Sequence, residues 1–273
     1  MLIDPTAKVD ARAQLGENVE VGPYAIIGEH VKVGEGTKIG AFVVLEGRVK
    51  IGPSCFIGHH SVIGAPPQDI AFRGEASEVV IGEGTVIREF VTIHRATGEG
   101  KVTHVGKACF IMAYCHIAHN CFVGDGVTMA NGAGLAGYVK VEDWAVLSGF
   151  VGVHQFVRIG KLAMIGGLSK VVMDIPPYTL ADGHPARVFG LNRVGMRRRG
   201  VPTQKQGEIA RVYRFLFRGG LPLQQAMEEI QGRGFDPEVV EEVLTFLRET
   251  KRGITRWVGE EKAYGFEDAS SLW

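Results

Sequence analysis

A mostly β chain wound as a parallel β-helix of hexapeptide repeats, with a small α-helical domain after it, is the fold that three observations predict. From Ile3 to Val171 every sixth residue is aliphatic or Met, and only Asp69, Glu75 and Glu99 break the phase. Four positions after each aliphatic comes a small or β-branched residue, as in Ala25, Val31, Thr37, Val43 and later Ala133, Val139 and Ala145, and Gly often follows the aliphatic directly. From about Asn192 this phase is lost and apolar residues recur at helical spacing. With 45% hydrophobic residues overall, random placement would not hold one phase for so long.

Six matches neither the 3.6 residues of a helical turn nor a heptad, but it is a multiple of the strand period of two. Short strands joined by regular tight turns follow. Gly16, Gly22, Gly28, Gly34 and their counterparts are expected to supply the positive φ that such turns need, and the β-branched residues suit strands buried on the inner face. An antiparallel sandwich is the competing reading, yet its strands vary in length and would slip phase within a few dozen residues. In a solenoid each coil buries its apolar row against its neighbours, which keeps the phase. The Ile/Val-Gly-x-x-small-x pattern resembles the hexapeptide-repeat acyltransferases. That resemblance implies a left-handed, three-sided coil with three hexads per turn, so residues eighteen apart stack at about 4.8 Å, the spacing of paired strands.

The coil is expected over residues 1–191, with two excursions that keep the phase, near 66–80 and 96–104. Loops of this kind often carry function. A helical domain is expected over 192–256. Ile209, Val212, Phe215 and Leu216 mark a helix within 203–218, Ala226, Met227 and Ile230 a second after Pro222, and Asp236-Pro237 caps a third running through Val239, Val240, Val243, Leu244 and Leu247. The tail 257–273 is expected to be disordered.

The 273 residues balance 30 basic against 30 acidic side chains, so no global charge points to nucleic acid. No long uncharged apolar run occurs, and the opening Met-Leu-Ile-Asp-Pro is not a basic-then-apolar leader; a cytoplasmic protein without stable membrane insertion is the expectation. Cys55, Cys109, Cys115 and Cys121 all fall on the small inward position. Residues six apart lie on different faces of a three-sided coil, so core packing is expected in preference to a metal site.

The stretch His116-Ile117-Ala118-His119-Asn120-Cys121 concentrates candidate chemistry. His119 lies two residues past an inward Ile, on the outside of its coil. Steps of eighteen lead to Gly137 and to Gln155 beside His154, a column about 10 Å tall. A neutral imidazole can take a hydroxyl proton and a backbone N–H can stabilise an oxyanion, which together suit acyl transfer to a hydroxyl. Ordinary exposed histidines are the alternative. His116 and His119 have a metal-like spacing but do not share a face in a β-coil, so no metal site is expected within the chain.

Several motifs in chain order resemble the UDP-N-acetylglucosamine O-acyltransferase family, which opens lipid A synthesis: Gln68-Asp69, Val91-Thr92-Ile93-His94-Arg95, His116-Ile117-Ala118-His119, Leu135-Ala136-Gly137, Val153-His154-Gln155-Phe156, Ile175-Pro176-Pro177-Tyr178, Phe189-Gly190-Leu191-Asn192 and Arg197-Arg198-Arg199-Gly200. The resemblance spans roughly residues 1–256. It implies that His119 is the general base, that Gly137 supplies the oxyanion N–H, and that the donor is a 3-hydroxyacyl chain on the 4′-phosphopantetheine of acyl carrier protein, with no cofactor of the chain's own. Asp69, His154 and Gln155, within a pocket that includes His116, would position a UDP-sugar. Asn192, Arg198 and Arg199 would lie near its uridine and phosphates. The family's homotrimer would set sites between subunits, and Gly167 at the acyl-limiting position implies room for a longer chain.

Four departures fall where the acceptor is expected: Asn120 for a common Asp, Tyr138 for a frequent His, Ala71 for a frequent Lys, and Lys170 for a common Gly. They leave open a 3-amino sugar nucleotide as acceptor. Arg193, Arg197, Arg198, Arg199, Lys205, Arg211, Arg214 and Arg218 read either as a solvated helical surface or as an attractor for acidic acyl carrier protein. Another hexapeptide acyltransferase, a β-helical zinc lyase and a non-catalytic scaffold are the rival function classes.

Overall fold

The structure, a computed structural model, describes residues 2–258. Short strands stack into three parallel sheets. The first runs from Leu2–Ile3 to Met164–Ile165, the second from Lys8–Val9 to Lys170–Val171 and the third from Gln14–Leu15 to Arg158–Ile159. Pairing joins residues eighteen apart, as in His116 with Gly134, Gly134 with Gly152, and Gly152 with Lys170. The spool is therefore three-sided with one turn per eighteen residues, and the six-residue rows Ile27, Val33, Ile39 and Leu45 and Ala25, Val31 and Val43 fill its axis.

The turns differ from expectation in an instructive way. Positive φ falls two residues beyond the repeat's Gly, on Asn18, Tyr24, Phe42, Ser54 and His60, with φ between 55° and 60°. The repeat's Gly is needed for space: a Cβ on Gly34 would lie 2.5 Å from Pro53 N, and one on Gly58 2.4 Å from Arg88 C. Backbones of successive coils pass too closely there for any side chain. The αL position points outward, where bulky residues accept the strain and stack on one another.

Both excursions leave the spool at the same edge, between the second and third sheets. They occupy 66–77 and 95–101, because 78–80 and 102–104, expected as loop, belong to strands Glu78–Ile81 and Val102–Val105. The third sheet pairs straight across both, from Arg48–Ile51 through those two strands to Phe122–Val123.

The coil ends earlier than residue 191. Thr179–Gly183 adds a parallel strand to Met164–Ile165, and Ala186–Leu191 then returns antiparallel to it. Four helices follow: α1 (Arg193–Arg198), which the hydrophobic pattern did not reveal, α2 (Thr203–Arg218), α3 (Leu223–Glu229) and α4 (Pro237–Arg248). Asp236 caps α4 by accepting from Glu238 and Val239 N–H. The helices pack with Trp144, Leu162 and Tyr178 on the edge between the third and first sheets; the Tyr178 hydroxyl donates to the Glu242 carboxylate at 2.7 Å and the Tyr213 hydroxyl to Pro177 O at 2.7 Å. Trp257 and Val258, expected in the tail, are packed: Val258 N–H donates to Val188 O at 2.8 Å, and the Trp257 ring stacks 5.4 Å from Phe217. The remaining tail expectation, 259–273, lies outside the described residues.

The cysteines are free and buried. Burial pushes the thiols of Cys109 and Cys115 up to about 11 and that of Cys121 to about 12, and the Cys121 thiol donates to Ala136 O at 3.1 Å. They are inert core groups. Among the described residues no helix is long and apolar enough to cross a membrane.

Candidate active site

His119 sits on the turn that joins the second-sheet strand His116–Ile117 to the third-sheet strand Phe122–Val123. It is on the outside of its coil, as the register requires, but it is not exposed: only 7% of its surface reaches solvent. Tyr138 covers it from the coil above, edge-on at 5.3 Å between ring centroids. The excursions cover it from the coils below, bringing Asp69 Oδ2 to 3.9 Å from His119 Nδ1. A freely solvated surface histidine is therefore the wrong description.

The ring's orientation is set by Asn120, whose Oδ1 lies 2.8 Å from His119 Nδ1. Asn120 Oδ1 also accepts from Thr97 N–H at 2.9 Å, while Asn120 Nδ2 donates to Thr97 O at 3.0 Å. A backbone N–H can only donate and a carbonyl can only accept, so this pair fixes which end of the amide is oxygen. Facing an oxygen, Nδ1 carries the proton. Nε2 keeps its lone pair and is free to act as a base.

Gly137 stacks directly over the ring. A Cβ there would lie 2.6 Å from His119 Cε1 and Nε2, so the imidazole occupies the space a side chain would take. At the same point of three hexads, an acceptor from the coil above takes the backbone N–H: Asp125 for Lys107, Asp143 for Asp125, His59 Nδ1 for Ala41. Above Gly137 the residue is Gln155, and the Gly137 N–H donates to no protein group among the described residues. The vertical column holds, since Tyr138 N–H donates to His119 O and Phe156 N–H to Gly137 O. His154 is exposed beside Gln155, its Nδ1 3.1 Å from Gln155 O.

His116, on the adjoining face, has Nδ1 2.7 Å from Thr92 Oγ1. Burial, with His94 and His119 nearby, lowers its pKa to about 4, so it is neutral at physiological pH. Burial likewise lowers that of His94, whose Nδ1 finds no partner. Asp69 is held below the usual carboxylate range by the Ala71 N–H at 2.9 Å and by the Thr97 hydroxyl at 2.9 Å.

His116, His119, Gly137, Tyr138, His154, Gln155 and Asp69 thus come together at one edge of the spool. The others do not join them within this chain. Asn192 Oδ1 caps α1 through Gly195 N–H, and its Nδ2 donates to Leu162 O; Arg199 stacks 4.0 Å over the Trp144 ring. Leu162 and Trp144 mark the edge between the third and first sheets, and Arg198 leaves with the same helix. Lys170 is three pairing steps above His116 on the second sheet, about 14 Å away, rather than beside the base. A Cβ on Gly167 would be in ordinary contact with Gly149 O, at 3.4 Å, and Ser148 Cβ, at 4.0 Å. The residue that sequence reasoning missed is Thr97. It lies in an excursion where the hexad register assigns no direction, so no periodic signal marked it.

Residues 174–255 match the family described as UDP N-acetylglucosamine O-acyltransferase, domain 2, and residues 30–65 and 103–137 match the bacterial transferase hexapeptide repeat. The chain is 46% identical over 255 residues to the acyl-[acyl-carrier-protein]--UDP-N-acetylglucosamine O-acyltransferase of Myxococcus xanthus, covering 93% of this chain and 99% of that one. It is 45% identical over 208 residues to the protein of the same name from Gloeothece citriformis, covering 76% and 75%. Among solved structures it resembles UDP-N-acetylglucosamine acyltransferase of Francisella novicida, with 37% identity, a TM-score of 0.90 and 93% and 94% coverage. The enzyme from Campylobacter jejuni is similar, with 37% identity, a TM-score of 0.88 and 94% and 100% coverage. With these relatives the winding is that of a left-handed parallel β-helix.

Proposed function

The chain belongs to the UDP-N-acetylglucosamine O-acyltransferase family, and on that premise we propose that it moves a 3-hydroxyacyl group from acyl carrier protein to the 3-hydroxyl of UDP-N-acetylglucosamine with His119 as base. His119 Nε2 takes the hydroxyl proton as the oxygen attacks the thioester carbon. The carbonyl oxygen gains charge against the Gly137 N–H. Collapse then breaks the C–S bond, and the imidazolium returns its proton to the departing phosphopantetheine thiolate. The observation that carries this reading is a buried imidazole whose Nδ1 is engaged by Asn120 and whose Nε2 lies under Gly137, a residue whose backbone N–H donates to no protein group among the described residues.

Asp69, His154 and Gln155 flank the base and are placed to hold the sugar. Because Asn192, Arg198 and Arg199 sit on another edge, a neighbouring copy would have to present them to the nucleotide's uridine and phosphates, which supports a homotrimer with sites between subunits. Lys205 and Arg211 are consumed by ion pairs to Glu238 and Glu208. Arg193, Arg214 and Arg218 instead line a cavity of 220 Å³ with Tyr213 and Trp257, a basic surface suited to acidic acyl carrier protein. The lack of a side chain at Gly167 favours long acyl chains.

One observation favours a second acceptor: the neutral Asn120 gives the base no hydrogen-bonded carboxylate, and a 3-amino sugar nucleotide, being more nucleophilic, needs less help from a base. Mass spectrometry of products from matched hydroxyl and amino acceptors with a panel of acyl carrier protein thioesters tests both readings. An ester from long 3-hydroxyacyl donors is expected; an amide alone would replace the acceptor, and no transfer to either would remove the reading.

A further inference from the structure

We propose that Thr97 is a positioning residue that holds the base's two partners at once, an inference that rests on His119 being the base. Its backbone N–H and carbonyl clamp the Asn120 amide, at 2.9 and 3.0 Å, and its hydroxyl donates to Asp69 Oδ2 at 2.9 Å. The Asn120 backbone N–H in turn donates to Thr103 Oγ1 at 2.9 Å, which ties the clamp to the strand at the far end of the same excursion.

The arrangement divides between two residues what one carboxylate beside a histidine would do alone. Asn120 is neutral and fixes the tautomer. Asp69 carries the charge that favours imidazolium, 3.9 Å from Nδ1. Neither partner is placed by the hexad register: Asp69 rides on the first excursion, and Asn120 could present either end of its amide. Thr97, on the second excursion, settles both.

The groups facing His119 leave Asp69 as the source of its ionic environment. His116 on its own strand and His94 on the coil below have depressed pKa values, with burial the main cause, and Tyr138 above presents a ring. If the Thr97 hydroxyl is removed, Asp69 loses one of its two anchors and is freer to turn to solvent. His119 then binds a proton less tightly, and the imidazolium formed in the reaction is less well stabilised.

The test compares Thr97→Val, which keeps shape and loses the hydroxyl, with Thr97→Ser, which keeps the hydroxyl. For Thr97→Val we expect kcat to fall by about tenfold, the scale of one charge-linked hydrogen bond, and the acid limb of kcat/KM to move to lower pH. Thr97→Ser should recover most of both. Unmoved kcat and acid limb in Thr97→Val, or equal losses in the two variants, would overturn the proposal. A titration of ¹⁵N-histidine-labelled protein by NMR, with His119 assigned by its loss in His119→Gln, gives a readout without turnover. The His119 midpoint should be lower in Thr97→Val than in the parent; identical midpoints refute the role of Thr97. A parent protein that transfers no acyl group would count against the acyltransfer reading alone, because the titration still decides on Thr97.

Discussion

Two edges of the spool share the same backbone and serve different ends. Between the first and second sheets, the αL residues Tyr24, Phe42, His60, Phe90 and Tyr114 stack in a ladder with ring centroids 5.1, 4.8, 4.9 and 5.0 Å apart. Between the second and third sheets the repeat is broken twice, the αL ladder shortens to Tyr138 and Phe156, 5.0 Å apart, and one position earlier in each hexad His119, Gly137 and Gln155 form a second column of an imidazole, a bare amide and a polar side chain. The regular edge spends its outward positions on stacking. The interrupted edge carries the groups proposed to react, and the two excursions cover His119. A uniform scaffold thus acquires chemistry where its repeat fails.

Breaking the interrupted edge should cost activity and little stability. His119→Ala is expected to lower acyl transfer by about 10²- to 10⁴-fold, the usual contribution of a general base, with unchanged melting temperature and assembly; normal turnover would take His119 out of the mechanism. Gly137→Ala puts a methyl where the ring now sits, with 2.6 Å to Nε2. The base must tilt away, so kcat should fall by about 10- to 100-fold on the scale of a misaligned proton transfer, while circular dichroism stays that of the parent.

The pH dependence of stability sharpens the contrast, since His116 adjoins the interrupted edge and is held neutral there in a half-buried position. Its folded pKa of about 4 lies below the ordinary value of 6.5, so between those pH values the unfolded chain binds the proton and the folded one does not. Stability from this group is complete above about pH 6.5 and is lost as pH falls towards 4, by roughly 3 kcal/mol in all. Replacing it in His116→Gln should flatten the denaturation midpoint over that window relative to the parent; parallel curves would contradict the depressed pKa. On the regular edge, Phe90→Ala removes two stacking contacts. The expected loss is about 1–3 kcal/mol of stability, measured by denaturant unfolding, and the pH profile of kcat/KM should not move.

Much of this was legible in the residues. The phase from Ile3 to Val171 foretold the coil and its core, and steps of eighteen put His119, Gly137 and Gln155 in one column. Registers fail where the chain leaves them. Asp69 and Thr97 lie on excursions, and α1 is held by the Asn192 cap and the buried Met196 instead of an amphipathic stripe. The glycines were also placed correctly for a partly mistaken reason: crowding between coils at Gly34 and Gly58 requires them, and positive φ falls two residues on, at Asn18 and Gly36 but also at Tyr24 and Phe42, which propensity would not have chosen.

By itself the sequence determined the six-residue coil unit and which residues face inward, because an apolar phase held through so many repeats survives only where short strands stack in register. Only the tertiary structure decided which groups touch the base and which nitrogen carries its proton. Those depend on hydrogen bonds between loops remote in the chain, where distance and direction count and periodicity is silent.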